Sequence, residues 1–289
     1  MSPSPETRPA TSPAGIEFPV RLSRRFPTGA WLALFRVSIR QYVRGRKLFV
    51  LSVLFLLPTA LAALSQHLNP RYHERVDRIE NSLIFYMIPQ ALVPLTALVL
   101  ASGMIRDEAE GQTLTYLLIR PLPRPSIYLA KLLAAWCVAA ALAAVFTTVA
   151  LVAIHWGADD LWGAAVPGRA LRASALSALS LAVYVALFGG LSLVVRWVLP
   201  FGVAYIVIFE GVFANIDFMV RRLTVLWYVR ILAERWLGLH VDSWTIDLAT
   251  APNGLEALLT LIGAGIVLAG LSAWLFGRRE IRMKTPEGG

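Results

Sequence analysis

Apolar residues along this chain gather into six long runs, near 48–64, 83–105, 127–154, 173–195, 198–220 and 255–276, and charged residues are largely confined to the gaps between them. A helix rises about 1.5 Å per residue and the hydrocarbon core of a bilayer is about 30 Å thick, so runs of this length cross it as helices. The first has little length to spare and carries Pro58 near its middle. The pattern predicts an all-α membrane protein with six transmembrane helices. The second run contains Pro89 and Pro94 with Gln90 between them. Each proline removes a backbone donor, so this span is expected to be kinked and to face other helices that satisfy the freed carbonyls.

Two further elements follow from patterning outside the spans. Thr28 is placed to cap a helix on which Arg36, Arg40, Arg44 and Lys47 form a basic stripe, beside an apolar stripe of Leu32, Phe35, Ile39, Tyr42 and Val43. Such an amphipathic helix lies in the membrane interface, as a topology anchor or also as a contact for a cytoplasmic partner. Between the fifth and sixth runs, Trp227, Tyr228, Trp236 and Trp244 predict one or two short helices partly inserted at the headgroup level. Residues 1–26, rich in Pro, Ser, Thr and Arg, lack the apolar core of a signal peptide and are expected to be a disordered cytoplasmic tail. Residues 27–289 then form one membrane domain.

Composition agrees with the pattern: 57% of residues are hydrophobic, 16% are charged and the mean hydropathy is +0.63. The formal charge of +9 would suggest nucleic acid in a soluble chain. Here the cations lie beside the spans without an aromatic-basic recognition pattern, so the expected partner is membrane lipid and not nucleic acid. Eighteen of the 27 Lys and Arg residues fall on the side of the N-terminus and nine on the other. By the positive-inside rule both termini are cytoplasmic, in a bacterial-type cytoplasmic membrane. Cys137 is the only cysteine and the four histidines have no zinc-helix spacing, so neither a disulfide framework nor a metal site is expected. No nucleophile elbow or paired carboxylate arrangement supports an embedded enzyme.

Glu210 and Asp217 are the acidic residues well inside an apolar run, seven apart and so on roughly one face of an α-helix. Each costs about 2.5 to 3.5 kcal/mol at a span centre and needs a partner or water. One reading puts them on a translocation path. The other has Asp217 solvated near the outer interface or paired with Arg221 or Arg222. An autonomous ion-coupled carrier or channel using Glu210 is the alternative function these residues allow.

The polar segment "RDEAEGQTLTYLLIRPLPRPSIYLAK" separates the second and third runs and is cytoplasmic by the charge count. Asp107, Glu108 and Glu110 suit a helix N-terminus, and Leu114, Leu117 and Leu118 then recur at helical spacing. Pro121 ends the helix, Pro123 and Pro125 hold the chain extended, Ser126 is placed to cap the next span, and Lys131 can snorkel to the interface. A rigid cytoplasmic helix with an apolar patch has to dock somewhere.

Glu108, Glu110, Thr113, Leu114, Leu117, Leu118, Arg120, Pro121, Arg124 and Lys131 resemble the signature after the second span of type-2 ABC transporter permeases, the ABC-2 exporters. Gln112 departs from the pattern by separating Gly111 from the Thr-Leu pair. The resemblance implies a pair of permease subunits, as a homodimer or with a paralogue. Each rests a coupling helix, here the helix that begins at Asp107 and ends before Pro121, with Pro121 and Arg124 beyond it, on an ATP-binding subunit whose closure rocks the spans. None of the twenty glycines is followed by lysine, so the chain has no phosphate loop of the Walker type. No cofactor is expected in it; ATP and Mg would be bound by the partner subunit.

Overall fold

The computed structural model describes residues 28–68, 79–104, 122–156, 165–215, 219–238 and 251–278. The fold is all-helical, and the described residues contain no strand. Six helices are long and apolar enough to cross a membrane: Arg46–Leu68, Ser82–Ser102, Arg124–Ile154, Val166–Val194, Val198–Asn215 and Gly254–Arg278, here spans 1 to 6. They coincide with the six apolar runs: spans 1, 3, 4 and 6 extend beyond them by up to a turn or two, whereas span 2 ends at Ser102, short of the expected 105, and span 5 at Asn215, short of the expected 220.

Spans 3 and 4 form the centre, packing on each other; span 4 also contacts spans 2 and 6, and span 3 contacts span 1 and the helix Thr28–Arg44 that leads into the bundle. Spans 2 and 4 are the most enclosed, whereas spans 1, 5 and 6 turn most of their apolar side chains outward. Close approach depends on glycine at three crossings: a Cβ on Gly189 of span 4 would collide with the Tyr128 hydroxyl of span 3. A Cβ on Gly202 would collide with the Leu98 side chain of span 2, and one on Gly190 with Ser272 of span 6. Gly263 and Gly270 of span 6 have nothing within 4 Å of the position a Cβ would take.

The proline-bearing second span is distorted in a specific way. Asn81–Leu92 is wound as a π-helix and Val93–Ser102 as an α-helix, with the Val93 amide bonding Ile88 O five residues back. The change of winding falls between Pro89 and Pro94, where two imide nitrogens leave the α ladder unable to close. The expected inward facing holds: Ile84, Phe85, Ile88, Leu92, Val93, Ala97 and Leu98 are all core residues.

The leading helix Thr28–Arg44 ends one residue before Gly45, and a bend there separates it from span 1. The basic stripe is therefore split. Arg36, Arg40 and Arg44 are exposed on the leading helix, and Lys47 is exposed on the first turn of span 1. The face turned to the bundle holds Leu34 and Ser38, while Leu32 and Val43 of the expected apolar stripe point outward, where an interfacial helix meets lipid.

After span 5, a 3-10 turn Met219–Leu223 leads into a short helix, Val225–Leu237, closed by Gly238 in the left-handed conformation (φ 64°). This helix is more deeply enclosed than its aromatic content suggests. It packs against spans 2, 4 and 6, and Trp227 is a core residue instead of a headgroup anchor. Its ring packs edge-on to Tyr228 and under the Arg221 guanidinium. Trp236 is exposed, and Trp244 lies outside the described residues.

Candidate functional site

Of the residues expected to couple the spans to a partner, Asp107, Glu108, Glu110, Thr113, Leu114, Leu117, Leu118, Arg120 and Pro121 lie outside the described residues. Arg124 is described, as the first residue of span 3. The frame around the segment is well defined. Pro123 is extended (φ −63°, ψ 138°) and takes the N-cap position that the sequence assigns to Ser126; its carbonyl accepts from the Ser126 and Ile127 amides at 2.9 and 3.3 Å. Pro125 is tolerated in the first turn because its missing N–H has no intrahelical partner to lose.

Three elements meet at this end. Trp31 Nε1 of the leading helix donates to Ser126 O at 3.2 Å, and Leu34 packs with Leu122, Ile127 and Ala130 in a small core of its own. Lys131 is buried, and its Nζ donates to Met104 O at 3.4 Å, just past the end of span 2. It does not snorkel outward. A cation at the C-terminal end of a helix offsets the partial negative charge of the last carbonyls. The leading helix, the exit of span 2 and the entry of span 3 are thus pinned together at the two ends of the segment 105–121.

At the opposite end of the bundle, polar side chains tie span to span. Glu80, 1% exposed, lies 3.0 Å from Arg169 Nη1 of span 4 and 3.4 Å from His155 Nε2 at the end of span 3. His155 Nδ1 faces Leu151 O at 3.1 Å, and Gln66 of span 1 donates to Trp156 O.

Glu210 is fully buried near the end of span 5. Its carboxylate accepts from the backbone amides of Val225 and Leu226 at 3.2 and 3.0 Å and from the Tyr205 hydroxyl at 3.3 Å. Thr224, the N-cap of the short helix, makes no side-chain capping bond. Glu210 supplies the missing cap from another element, placing negative charge at the positive end of the helix. Arg230, further along the same helix, reaches back to the end of span 5: Nη1 donates to Ala214 O at 3.3 Å and Nη2 to Asn215 Oδ1 at 2.9 Å. Nη2 also lies 3.4 Å from Gln90 Oε1 in the π-wound part of span 2, and the guanidinium lies 5.9 Å from the Tyr86 ring centre. Burial pulls the Arg230 guanidinium below its ordinary value, yet an arginine keeps its proton under such a shift.

Glu210 and Arg230 therefore form a reciprocal clamp in which each element caps the other. The sequence pattern singles out Glu210 but not Arg230, which counts there as a loop cation; the signal is a single arginine inside the apolar stretch "VLWYVRILA". Asp217 lies outside the described residues. Span 5 passes from α to π winding at Ile206 and to 3-10 at Phe213, so the stretch around Glu210 is not a regular α-helix. Among the described residues, no group of His, Cys, Asp and Glu is arranged to hold a metal ion.

No curated protein matches the chain. A family model described as ABC-2 family transporter protein matches residues 32–281, which takes in the leading helix from its second turn, all six spans, the segment between spans 2 and 3 and the short helix. The chain belongs to the ABC-2 transporter family and is a permease subunit of an ABC transporter, an integral membrane component without an ATPase site of its own.

Proposed function

We propose that an ATP-binding subunit docks on residues 106–121 and drives the spans, and that the assembly exports a small or amphiphilic substrate. ATP and Mg are held by that partner. The observation that carries this reading is the permease-family match over residues 32–281. The pinned frame at both ends of the segment supports it: a push on residues 106–121 reaches span 2 through Met104 and Lys131 and span 3 through Ser126 and Trp31. A second permease subunit, as a second copy or a paralogue, would cover part of the apolar surface that spans 1, 5 and 6 leave exposed. In this reading residues 1–26 form a cytoplasmic tail before a single permease domain, and both termini are cytoplasmic in a bacterial-type cytoplasmic membrane. An ion-coupled carrier would need Glu210 free to exchange protons or ions; its bonds to Val225, Leu226 and Tyr205 favour a structural duty instead.

The test is reconstitution with the cognate ATP-binding subunit. Replacing Leu114 and Leu117 by Asp is expected to abolish ATP-dependent transport and weaken co-purification, while the isolated permease keeps its thermal stability. Intact transport and assembly in that variant would refute docking at this segment. Orientation is read separately: in a Cys137→Ala background, Gln112→Cys is expected to react with a membrane-impermeant thiol reagent only from the cytoplasmic side.

A further inference from the structure

Spans 3, 4 and 6 enclose a groove of about 420 Å³. Its floor, Val185 and Ala186 of span 4, is buried, and its rims, Leu133 of span 3 and Ile262 and Ile266 of span 6, are exposed. Toward the leading helix spans 3 and 6 meet: the Tyr128 and Phe276 rings lie 5.7 Å apart, and a Cβ on Gly277 would lie 3.1 Å from Pro125. The groove opens beyond that contact, with Trp31 of the leading helix and Trp136 of span 3 among its lining residues. Both indole N–H groups are already bonded within the protein, Trp31 to Ser126 O at 3.2 Å and Trp136 to Ala178 O at 2.8 Å. The other lining side chains carry no polar atom. A polar ligand would leave its own donors and acceptors unsatisfied here, whereas a hydrocarbon has none to lose.

We propose that this groove binds one acyl chain of a phospholipid from the leaflet beside the leading helix. Size decides against a helix of a second copy. A helix is 10–12 Å across, so even the eight residues that would match Leu129 to Trp136 fill roughly 1,000 Å³, more than twice the groove. A methylene takes up about the room of a water molecule, about 30 Å³, so the groove accepts about a dozen of them, which is a single chain. Depth agrees with size. Leu129 to Trp136 lie five to twelve residues beyond Arg124, about 8–18 Å along span 3, and the midplane of the bilayer lies about 15 Å below either face of its hydrocarbon. The groove therefore follows one leaflet to its middle, as an acyl chain does. The inference needs the spans to lie in a bilayer, but it needs no ATP-binding partner, so it stands or falls apart from the coupling reading.

The experiment is native mass spectrometry of the purified full-length permease, equilibrated in turn with dipalmitoyl phosphatidylcholine, dipalmitoyl phosphatidylglycerol and dihexanoyl phosphatidylcholine. Ala182→Leu and Gly265→Leu each fill the groove; a Cβ at Gly265 meets nothing closer than Val183 at 3.8 Å. Gly263→Leu puts the same side chain on the same helix, where a Cβ has nothing within 4 Å and no part of the groove is lined. Expected is retention of one dipalmitoyl lipid with either headgroup and of no dihexanoyl lipid. Each methylene excluded weakens binding about fourfold, so either filled variant should lower retention by about tenfold or more, while Gly263→Leu retains lipid like the wild type. Equal retention by the filled variants and the wild type would overturn the proposal. So would retention that follows the headgroup and ignores chain length, which would mark a charged site at the interface. Loss of a dimer in the filled variants, with lipid retention unchanged, would give the groove to a second copy. Melting temperatures in detergent show that each variant has folded, and added dipalmitoyl lipid should raise that of the wild type and not those of the filled variants. Should one filled variant not fold, the other and the chain-length comparison decide.

Discussion

Arg230 and Glu210 carry opposite charges into the same buried region, yet each is satisfied mainly by backbone and neutral polar groups. Glu210 receives two amides and a tyrosine hydroxyl, and Arg230 gives to a carbonyl and two side-chain amides. Replacing Glu210 by Gln halves the accepting capacity and turns an NH₂ toward backbone donors. A loss of about 1.5–3 kcal/mol follows, the range of hydrogen bonds to charged groups. Arg230→Met should cost a similar amount by leaving Ala214 O without its donor. Because both act on one joint, the double variant should lose less than the two single losses combined. Inactivation half-lives of the detergent-solubilised protein on heating measure all three. The cost of an unpaired acid in a span announces that Glu210 needs partners, but those partners stand 15 and 16 residues further on, across a turn whose path no local pattern specifies.

Elements are placed by close approach as much as by hydrophobicity. Span 5 can lie against span 2 because Gly202 offers no Cβ to the fully buried Leu98. Gly202→Val is therefore expected to destabilise by about 1–3 kcal/mol, the usual cost of overpacking, while Gly263→Val on the open face of span 6 should stay within about 0.5 kcal/mol. Comparing their melting temperatures in detergent checks the contrast. Both glycines look alike in the sequence, as small residues within apolar runs. Only the neighbouring helix distinguishes them. The leading helix makes the same point: its bundle-facing side is set by Trp31 meeting Ser126 and by Leu34 meeting Ile127, contacts between segments far apart in the chain that periodicity along one helix cannot weigh.

Across the whole molecule, spans 3 and 4 act as a core to which the other spans attach, and the ends of the bundle are built differently. Among the described residues, hydrogen bonds from Trp31 and Lys131 and the small Leu34 core pin the end bearing the leading helix. At the other end Glu80 ties spans 2, 3 and 4 through Arg169 and His155. Arg169 keeps solvent contact, so the joint is worth less than a fully buried pair. Glu80→Gln is expected to cost about 1–3 kcal/mol and to speed proteolysis at that end without changing helical content by circular dichroism.

The number of crossings, their approximate limits and the all-helical class were decided by the sequence alone, because in a bilayer every backbone group must be satisfied internally and length against hydrocarbon thickness leaves few options. The distortion of span 2 was equally legible, since proline removes a donor wherever it stands. Tertiary structure alone decided that the distortion is π winding and that Glu210 caps a helix from another element. It also decided that Lys131 turns inward to Met104, that Trp227 is core, and which glycines touch a neighbour. These outcomes depend on which residues meet across helices, and apolar side chains that pack on protein are chemically the same as those that face lipid.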